Sequence, residues 1–171
     1  MCGDEKKPVN DPAFWKTRLM WALSHGRGSH TAVYDIDFTV WTSIQNMTRS
    51  VLRFELRQGQ TLLDVGCGIG TLSSYLPPGI KYHGIDISPE MVEVAHLSYP
   101  HQSFSVDDAR YLPQFLNQHF DVAVCRSLRK MIIDNLGDPH WQAILQEVRR
   151  ISKKVIIIEY EDLPNYETIL T

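Results

Sequence analysis

The chain has 171 residues, of which 43% are hydrophobic and 22% are charged, and its formal net charge is -3. This composition is that of one globular domain, residues 1–171, which is long enough to bury a core. The overall charge supplies no general attraction for a polyanion, although a local basic patch could still bind nucleic acid, so a nucleic acid partner is not excluded.

Residues 1–57 are expected to form an amino-terminal helical segment. Asp11 followed by Pro12 is typical of a helix start, and a second helix is predicted from about Phe38 to Leu56. The amino terminus lacks the apolar core of a signal peptide, and the longest aliphatic run, Val155–Ile158, is too short to cross a bilayer. We therefore expect a cytoplasmic protein that does not bind membranes. The three cysteines lack the spacing of metal ligands, so no metal site is expected.

From residue 61 to residue 160, predicted strands and helices alternate. This alternation favours an α/β fold with a doubly wound, mainly parallel sheet, a Rossmann-like core. In such sheets, ligands bind beyond the carboxyl ends of the strands, where the strand order reverses. The first helix after a strand should run to about Leu76, and later helices should begin after Ser88 and at Asp138. The predicted strands are Leu62–Val65, Lys81–Ile85, Ser103–Val106, Asp121–Cys125 and Lys154–Glu159.

The first predicted strand runs into a glycine-rich turn that contains Gly66, Gly68 and Gly70, preceded by Asp64. Glycines in such a turn allow close approach of a ligand to the backbone. The spacing Gly-x-Gly-x-Gly differs from the Gly-x-Gly-x-x-Gly pattern that seats a dinucleotide pyrophosphate. With the acidic residue ahead of it, this segment resembles the first motif of the class I S-adenosylmethionine (SAM) dependent methyltransferases.

Two later elements extend the resemblance over residues 61–159. Asp86 follows the second strand, where a carboxylate can accept both hydroxyls of an adenosine ribose; its alternative role is that of a turn residue that helps the cap at Ser88. Asp108 and Ala109 match the family's Asp-Ala-x-x-Leu-Pro element, which implies contacts to the adenine amino group and ring. The resemblance also implies that Asp64 and the Gly66 carbonyl face the methionine end of the cofactor. The complete predicted set of SAM-binding residues is Asp64, Gly66, Cys67, Gly68, Gly70, Asp86, Ile87, Met91, Asp108, Ala109 and Cys125; Tyr34 is a further candidate, and Met91 could instead be ordinary core.

The acceptor is expected beside the segment that follows the fourth strand. Candidate acceptor residues there are Arg126, Ser127, Arg129 and Lys130, joined by Arg27 from a glycine-flanked loop. The cations would suit an anionic acceptor, and their alternative role is that of solvated charges on a helix surface. The segment lacks the Asn/Asp-Pro-Pro-aromatic element of methylases that act on exocyclic amino groups. Cys125 lacks the preceding proline of cytosine-C5 methylases, so we do not expect it to act as a nucleophile. Methyl transfer mainly requires alignment of donor and acceptor, and no catalytic residue is assigned.

The sequence therefore predicts a SAM-dependent methyltransferase that acts on a small molecule. Two alternatives stay open: a SAM-binding protein that serves as a partner or activator subunit, and a methyltransferase that acts on nucleic acid or protein. A third, a nucleotide-dependent oxidoreductase, is disfavoured by the glycine spacing. Only residues 160–171 follow the fifth strand, so the sheet is expected to be truncated there, with Val155–Ile158 at or near an edge. Because this strand is apolar on both faces, we expect a homodimer contact, a protein partner or the amino-terminal helices to cover it, with Glu161–Thr171 laid across it.

Overall fold

The computed structural model describes residues 6–24, 38–159 and 165–171. The predicted α/β class is confirmed, because helices and strands alternate around one mainly parallel sheet. The helices are α1 (Pro12–Ser24), α2 (Phe38–Glu55), α3 (Pro89–Ser98), α4 (Arg129–Leu136) and α5 (Asp138–Ile151), with a short 3-10 helix at Thr71–Tyr75. The strands are β1 (Thr61–Val65), β2 (Lys81–Asp86), β3 (Ser103–Val106), β4 (Val122–Arg126), β5 (Lys154–Glu159) and β6 (Asn165–Leu170).

The six strands lie in the order β3-β2-β1-β4-β5-β6. All neighbours are parallel except β5 and β6. The strand order reverses between β1 and β4, which pair so that Val65 lies opposite Cys125. The residues that follow β1, β2, β3 and β4 therefore meet at one edge of the sheet, where a ligand site is expected.

Helices cover both faces of the sheet because the strand residues are apolar on both sides. On one face, Leu63 and Val65 share a buried cluster with Trp141 and Val148 of α5. On the other face, Leu62 packs with residues of α2 and of the 3-10 helix. Both faces of the central strands are therefore shielded from solvent, as expected for parallel strands between helical layers.

The helix α1 lies against α3 and the glycine-rich turn. Its residues Leu19 and Ala22 form a small buried cluster with Ile69 and Met91, and Lys16 forms an ion pair of 2.9 Å with Glu90. Asp11 Oδ1 accepts the Ala13 amide at 2.9 Å and Ser88 caps α3, as predicted, whereas the cap predicted at Asp138 is not formed, because Gly137 is the N-cap of α5 and offers no side chain. The amino-terminal segment thus reaches the edge of the sheet where the site is expected.

The expectation that the sheet is truncated after β5 is wrong, whereas β5 does lie near an edge and the tail does lie along it, as expected. Residues Asn165–Leu170 form an antiparallel strand along β5, with Ile156 opposite Thr168. An antiparallel neighbour can follow after a short connection and needs no crossover helix, so the twelve residues after β5 suffice. The tail of the chain itself covers β5, and the apolar character of this strand gives no reason to invoke a homodimer or a protein partner.

The helix predicted to run from the glycine-rich turn to about Leu76 is shorter than expected. The structure has only the 3-10 helix Thr71–Tyr75, and Leu76 is already extended with ψ of 138°. Leu76 precedes Pro77, whose ring disfavours helical conformation of the residue before it. The short helix α4 after β4 was not predicted at all.

Gly70 should be more sensitive to substitution than Gly59, although both have a left-handed backbone. A Cβ on Gly70, where φ is +80°, would lie 2.8 Å from Phe104 Cζ, whereas a Cβ on Gly59, where φ is +87°, would have no atom within 4 Å. We expect Gly70→Ala to lower the free energy of unfolding by roughly 2–4 kcal/mol, through backbone strain and overpacking together. Gly59→Ala should lower the free energy of unfolding by the backbone strain alone, about 1–2 kcal/mol. Urea unfolding of both variants checks this, and equal losses would contradict it.

Candidate functional site

A cavity lies at the edge of the sheet where the strand order reverses. Its walls come from the glycine-rich turn, the segments after β2, β3 and β4, the helices α4 and α5, and the amino-terminal segment. Nine of the predicted site residues line it: Gly66, Gly68, Asp86, Ile87, Met91, Asp108, Ala109, Arg126 and Ser127. The remaining lining residues are Val9, Asn10, Trp15, Ile44, Ile85, Asp107, Arg110, Leu128, Met131, Ile132, Leu136, His140 and Ile144.

The glycine-rich turn presents its backbone to the cavity. Gly66 and Gly68 have φ of +70° and +53°, a region that favours glycine. A Cβ on Gly66 would lie 3.2 Å from Leu128 Cδ1. The amides of Gly66 and Cys67 both donate to the Ile85 carbonyl at 2.9 Å, which fixes the turn against β2. A side chain at position 66 would therefore press against Leu128, which also lines the cavity.

The carboxylate of Asp86 joins the turn to the start of α3. Its Oδ2 accepts the Gly68 amide at 2.8 Å, and its Oδ1 accepts the Ser88 amide at 2.9 Å. Burial raises the pKa of Asp86, and the backbone hydrogen bonds oppose that rise. Each carboxylate oxygen can accept more than one hydrogen bond, so Asp86 retains capacity toward the cavity. Both roles considered from the sequence, ligand acceptor and helper of the Ser88 cap, are compatible with this geometry.

Asp108 lines the cavity beyond β3 and pairs with Arg110. The guanidinium of Arg110 donates to both carboxylate oxygens, and this pair lowers the pKa of Asp108. Ala109, between them, packs against the apolar cluster of α4 and α5. Asp107 also lines the cavity and accepts hydrogen bonds from Ser105 and Gln114.

Asp64 is buried behind the turn, outside the residues that line the cavity. The Tyr82 hydroxyl donates to its Oδ2 at 2.8 Å. Burial raises the pKa of Asp64 from its ordinary 3.8 to about 6, and the nearby Arg126 charge acts in the opposite direction. Asp64 is thus a desolvated carboxyl group whose ionised form is favoured by the positive charge of Arg126 on the neighbouring strand.

Arg126 is the last residue of β4 and lines the cavity. Its Nη2 donates to Thr71 Oγ1 at 2.6 Å, so the side chain reaches across to the residue that follows the third glycine. Ser127 has a left-handed backbone with φ of +54°, and its amide donates to the Ile158 carbonyl at 2.8 Å. This turn directs the chain away from β4 and into α4.

The other predicted site residues lie away from the cavity. The Cys67 side chain packs in the core, where a Cβ on Gly84 would approach it to 2.9 Å, and Gly70 faces Phe104. Cys125 is fully buried, and burial raises the pKa of its thiol, so it is not poised as a nucleophile. Arg129 donates through its amide to Glu159 and through its guanidinium to Glu167, each near 3 Å, and therefore ties α4 to β5 and β6. Arg27 and Tyr34 lie outside the described residues.

Several lining residues were not predicted from the sequence. Trp15 was expected to be part of the core, yet its Nε1 donates to the Val9 carbonyl at 2.8 Å and both residues border the cavity. Ile44 of α2 and His140 of α5 also border it. Helical apolar periodicity marks such residues as inward-facing but does not distinguish a core from a cavity wall. Thr71 could have been identified from the sequence as a residue near the site, because it directly follows the glycine motif.

Among residues 6–24, 38–159 and 165–171, no helix is long and apolar enough to span a bilayer. Within the same residues, no group of three or more His, Cys, Asp and Glu side chains could hold a metal ion.

A family model described as a methyltransferase domain matches residues 62–154. The chain belongs to the methyltransferase domain family. This match covers β1 to the start of β5 and includes the glycine-rich turn, Asp86, Asp108 and Arg126, all of which contribute to the cavity wall. The resemblance drawn from the sequence is thereby confirmed.

Characterised relatives of this methyltransferase domain are similar over part of their length. The thiol S-methyltransferase TMT1B of Rattus norvegicus is 32% identical over 101 residues, which are 54% of this chain and 38% of that protein. The demethylmenaquinone methyltransferase of Chlorobaculum parvum is 40% identical over 63 residues, which are 36% of this chain and 26% of that protein. The chain thus spans well under half the length of the curated relatives it matches.

Solved structures agree with the fold of the methyltransferase domain. A SAM-dependent methyltransferase from Methanosarcina mazei is 26% identical with a TM-score of 0.56, over 63% of this chain and 56% of that one. A putative methyltransferase from Haloferax volcanii was solved in complex with the Trm112 methyltransferase activator. It is 27% identical with a TM-score of 0.55, over 67% of this chain and 50% of that one. A putative methyltransferase from Methanococcus maripaludis is 19% identical with a TM-score of 0.59, over 91% of this chain and 66% of that one. At this identity it supports the fold alone.

SAM is the cofactor that this family implies, and the cavity fits it. The ribose hydroxyls and the adenine amino group are hydrogen-bond donors, and the carboxylates Asp86 and Asp108 are acceptors on the cavity wall. Gly66 and Gly68 present backbone without side chains to the same cavity. Ile87 and Ala109 supply apolar surface for a purine ring beside these carboxylates.

Asp64 should titrate near pH 6 in the folded protein, which a ¹³C NMR titration of its carboxyl carbon measures directly. Since its folded pKa is raised above its ordinary 3.8, its contribution to stability is full below about pH 4 and is lost as the pH rises towards 6. The free energy of unfolding of wild type relative to Asp64→Asn should therefore fall by about 1–3 kcal/mol over that interval. A difference that does not change with pH would contradict the assignment.

Proposed function

We propose that this protein transfers a methyl group from SAM to a small-molecule acceptor. The observation that carries the proposal is the order of polar groups along the sheet edge. Asp108 after β3, Asp86 after β2 and Gly66 after β1 all line one cavity, in the order in which the strands are neighbours. That order matches the linear order of adenine, ribose and methionine in SAM.

Each residue has a separate part in binding the cofactor. Asp108 accepts the adenine amino group, while Ile87 and Ala109 flank the ring. Asp86 accepts the ribose hydroxyls and at the same time holds Gly68 in place. The turn backbone at Gly66 lies beside the methionine end, with Asp64 buried behind it. The sulfonium of SAM supplies an activated methyl group, so the protein needs chiefly to align the acceptor and exclude water.

The amino-terminal segment is well placed to exclude water. Val9 is buried, the Trp15 indole donates to its carbonyl, and both border the cavity. The Lys7 amide donates to Asn135 Oδ1 at 2.6 Å, which holds this segment against α4. It therefore forms part of the wall beside the proposed adenosine site.

A small thiol is the first acceptor to test. The similarity to the thiol S-methyltransferase TMT1B supports this choice. A thiol ionises at a pH closer to neutral than a hydroxyl group does. Its methylation therefore depends less on a general base in the protein that removes the acceptor's proton. The similarity to the demethylmenaquinone methyltransferase makes a quinol the second acceptor to test. We keep a cytoplasmic location as part of this proposal.

A second candidate function is that of a SAM-binding subunit that acts with a partner. The putative methyltransferase solved with the Trm112 activator supports it, because that similar domain is held in a complex with a partner protein. Methylation of nucleic acid or protein stays an alternative acceptor class. Assays with radiolabelled SAM against thiols, quinols, RNA and protein separate these functions. Transfer to a small thiol or quinol supports the proposal, and SAM binding without transfer to any of them favours the subunit role.

Asp86→Asn should weaken SAM binding by roughly 1.5–3 kcal/mol, because the ribose hydroxyls and the Gly68 amide lose a charged acceptor. Asp121→Asn is the matched control, since Asp121 accepts the Thr61 amide at the opposite end of the sheet. Calorimetry with SAM should show the loss in the first variant and no loss in the second. Similar affinities for SAM in wild type and Asp86→Asn would refute the ribose assignment, and binding of NAD in preference to SAM would refute the cofactor.

A further inference from the structure

We propose that the cavity-facing side of α4 binds the acceptor, and that the acceptor is an uncharged molecule with an apolar chain or ring. The inference rests on the proposed function and deepens it, because it names the class of acceptor at the same site. It differs from the anionic acceptor that the cations after β4 favoured in the sequence.

The first observation is that the side of α4 that faces the cavity is apolar. Leu128, directly before α4, lines the cavity together with Met131, Ile132 and Leu136. Positions three, four and eight residues apart lie on one side of a helix. Among the described lining residues, those of α4, α5 and the amino-terminal segment include no Asp, Glu, Lys or Arg. An ionised group bound there would lose its water without gaining a charged partner.

The second observation is that the arginines of the cavity wall already have partners. Arg110 donates to both carboxylate oxygens of Asp108. Arg126 donates to Thr71 Oγ1 at 2.6 Å, and its charge lowers the pKa of the buried Asp64. Within the described residues, these two arginines are the lysine or arginine side chains that line the cavity. An anionic acceptor would therefore have to compete with groups of the protein for a cation.

The third observation is the place where α4 begins. A Cβ built on Gly66 would lie 3.2 Å from Leu128 Cδ1, so the start of α4 lies over the glycine-rich turn. Met131 follows Leu128 by about one helical turn. In the proposed function the methionine end of SAM lies beside Gly66, and an acceptor on this side of α4 would meet the methyl group there. The acceptor sulfur then bonds to the methyl carbon as the bond from that carbon to the cofactor sulfur breaks, and the thiol proton leaves to water.

The helix α4 is held in place from two directions. The Arg129 amide donates to Glu159 Oε1 at 2.9 Å, and the Arg129 guanidinium pairs with Glu167 at 3.0 Å. At the other end of α4, Asn135 Oδ1 accepts the Lys7 amide at 2.6 Å. These contacts use the polar residues of α4 outside the cavity, since neither Arg129 nor Asn135 lines it. The apolar side is therefore a preformed wall, which is typical of sites for small molecules.

Methyl transfer from radiolabelled SAM to two matched thiols tests the acceptor class. The probes are pentanethiol and its counterpart in which a carboxylate replaces the terminal methyl group. Wild type should give a kcat/KM at least about tenfold higher for pentanethiol, because the carboxylate must be desolvated. The kcat/KM should also rise about two- to fourfold for each methylene added from ethanethiol to pentanethiol, as expected when the chain is buried.

Met131→Lys tests the place of binding, because it puts a cation on the apolar wall. Its kcat/KM should fall roughly tenfold for pentanethiol and rise several-fold for the carboxylated thiol, which gains a charged partner. The Kd for SAM, measured by calorimetry, should change less than about twofold. Met20→Lys is the matched control, since Met20 of α1 is 57% exposed and does not line the cavity, and its values should equal those of wild type. Circular dichroism establishes that each variant is folded.

The outcomes separate this inference from the proposed function. If wild type methylates no thiol and no quinol, the proposed function is wrong and the inference falls with it. If wild type prefers the carboxylated thiol, or shows no dependence on chain length, the apolar class is wrong and the proposed function stands. If only quinols are methylated, the same comparison between an alkyl and a carboxyalkyl side chain decides.

The variants decide whether α4 is the binding surface. Equal kcat/KM values of Met131→Lys and wild type for both thiols would overturn the assignment to α4. Should Met131→Lys fail to fold, Met131→Gln removes apolar surface at a similar size. It should lower the kcat/KM for pentanethiol several-fold with an unchanged Kd for SAM, and a kcat/KM equal to that of wild type would overturn the assignment as well.

Discussion

The carboxylate of Asp86 is the interaction on which the site depends. One oxygen holds the amide of Gly68 in the turn after β1, and the other holds the amide of Ser88 at the start of α3. A buried carboxylate that accepts two backbone amides is stabilised locally, while its desolvation raises its pKa. The turn can therefore keep its left-handed glycines exposed to the cavity, with an acidic group beside them.

The sheet topology turns this local arrangement into a site for an extended ligand. Because the chain returns from β3 to the other side of β1, the carboxyl ends of four neighbouring strands contribute to one cavity. Acidic groups lie towards β3 and β2, and the cation Arg126 lies at β4. We propose that this order of charges along one sheet edge orients the cofactor before any acceptor is bound.

The sequence was most informative where local chemistry decides the structure. Apolar runs located five strands, the glycine motif located the turn, and Asp86 and Asp108 were found by their positions after strands. The sixth strand was missed because its stability comes from pairing with β5, although Tyr166–Leu170 is rich in residues that favour strands. The wall residues Trp15 and Ile44 were missed because apolar periodicity marks burial and not cavities. The link from Arg126 to Thr71 joins residues that are 55 positions apart, and no local pattern reports it.

The central claim is that one cavity holds SAM with its parts ordered along the ends of β3, β2, β1 and β4. A crystal structure with bound S-adenosylhomocysteine, the product form of the cofactor, tests this claim most directly. We predict adenine beside Ala109, ribose hydroxyls on Asp86 and the amino-acid group beside the Gly66 turn. A ligand bound in the reverse direction, or outside this cavity, would contradict it.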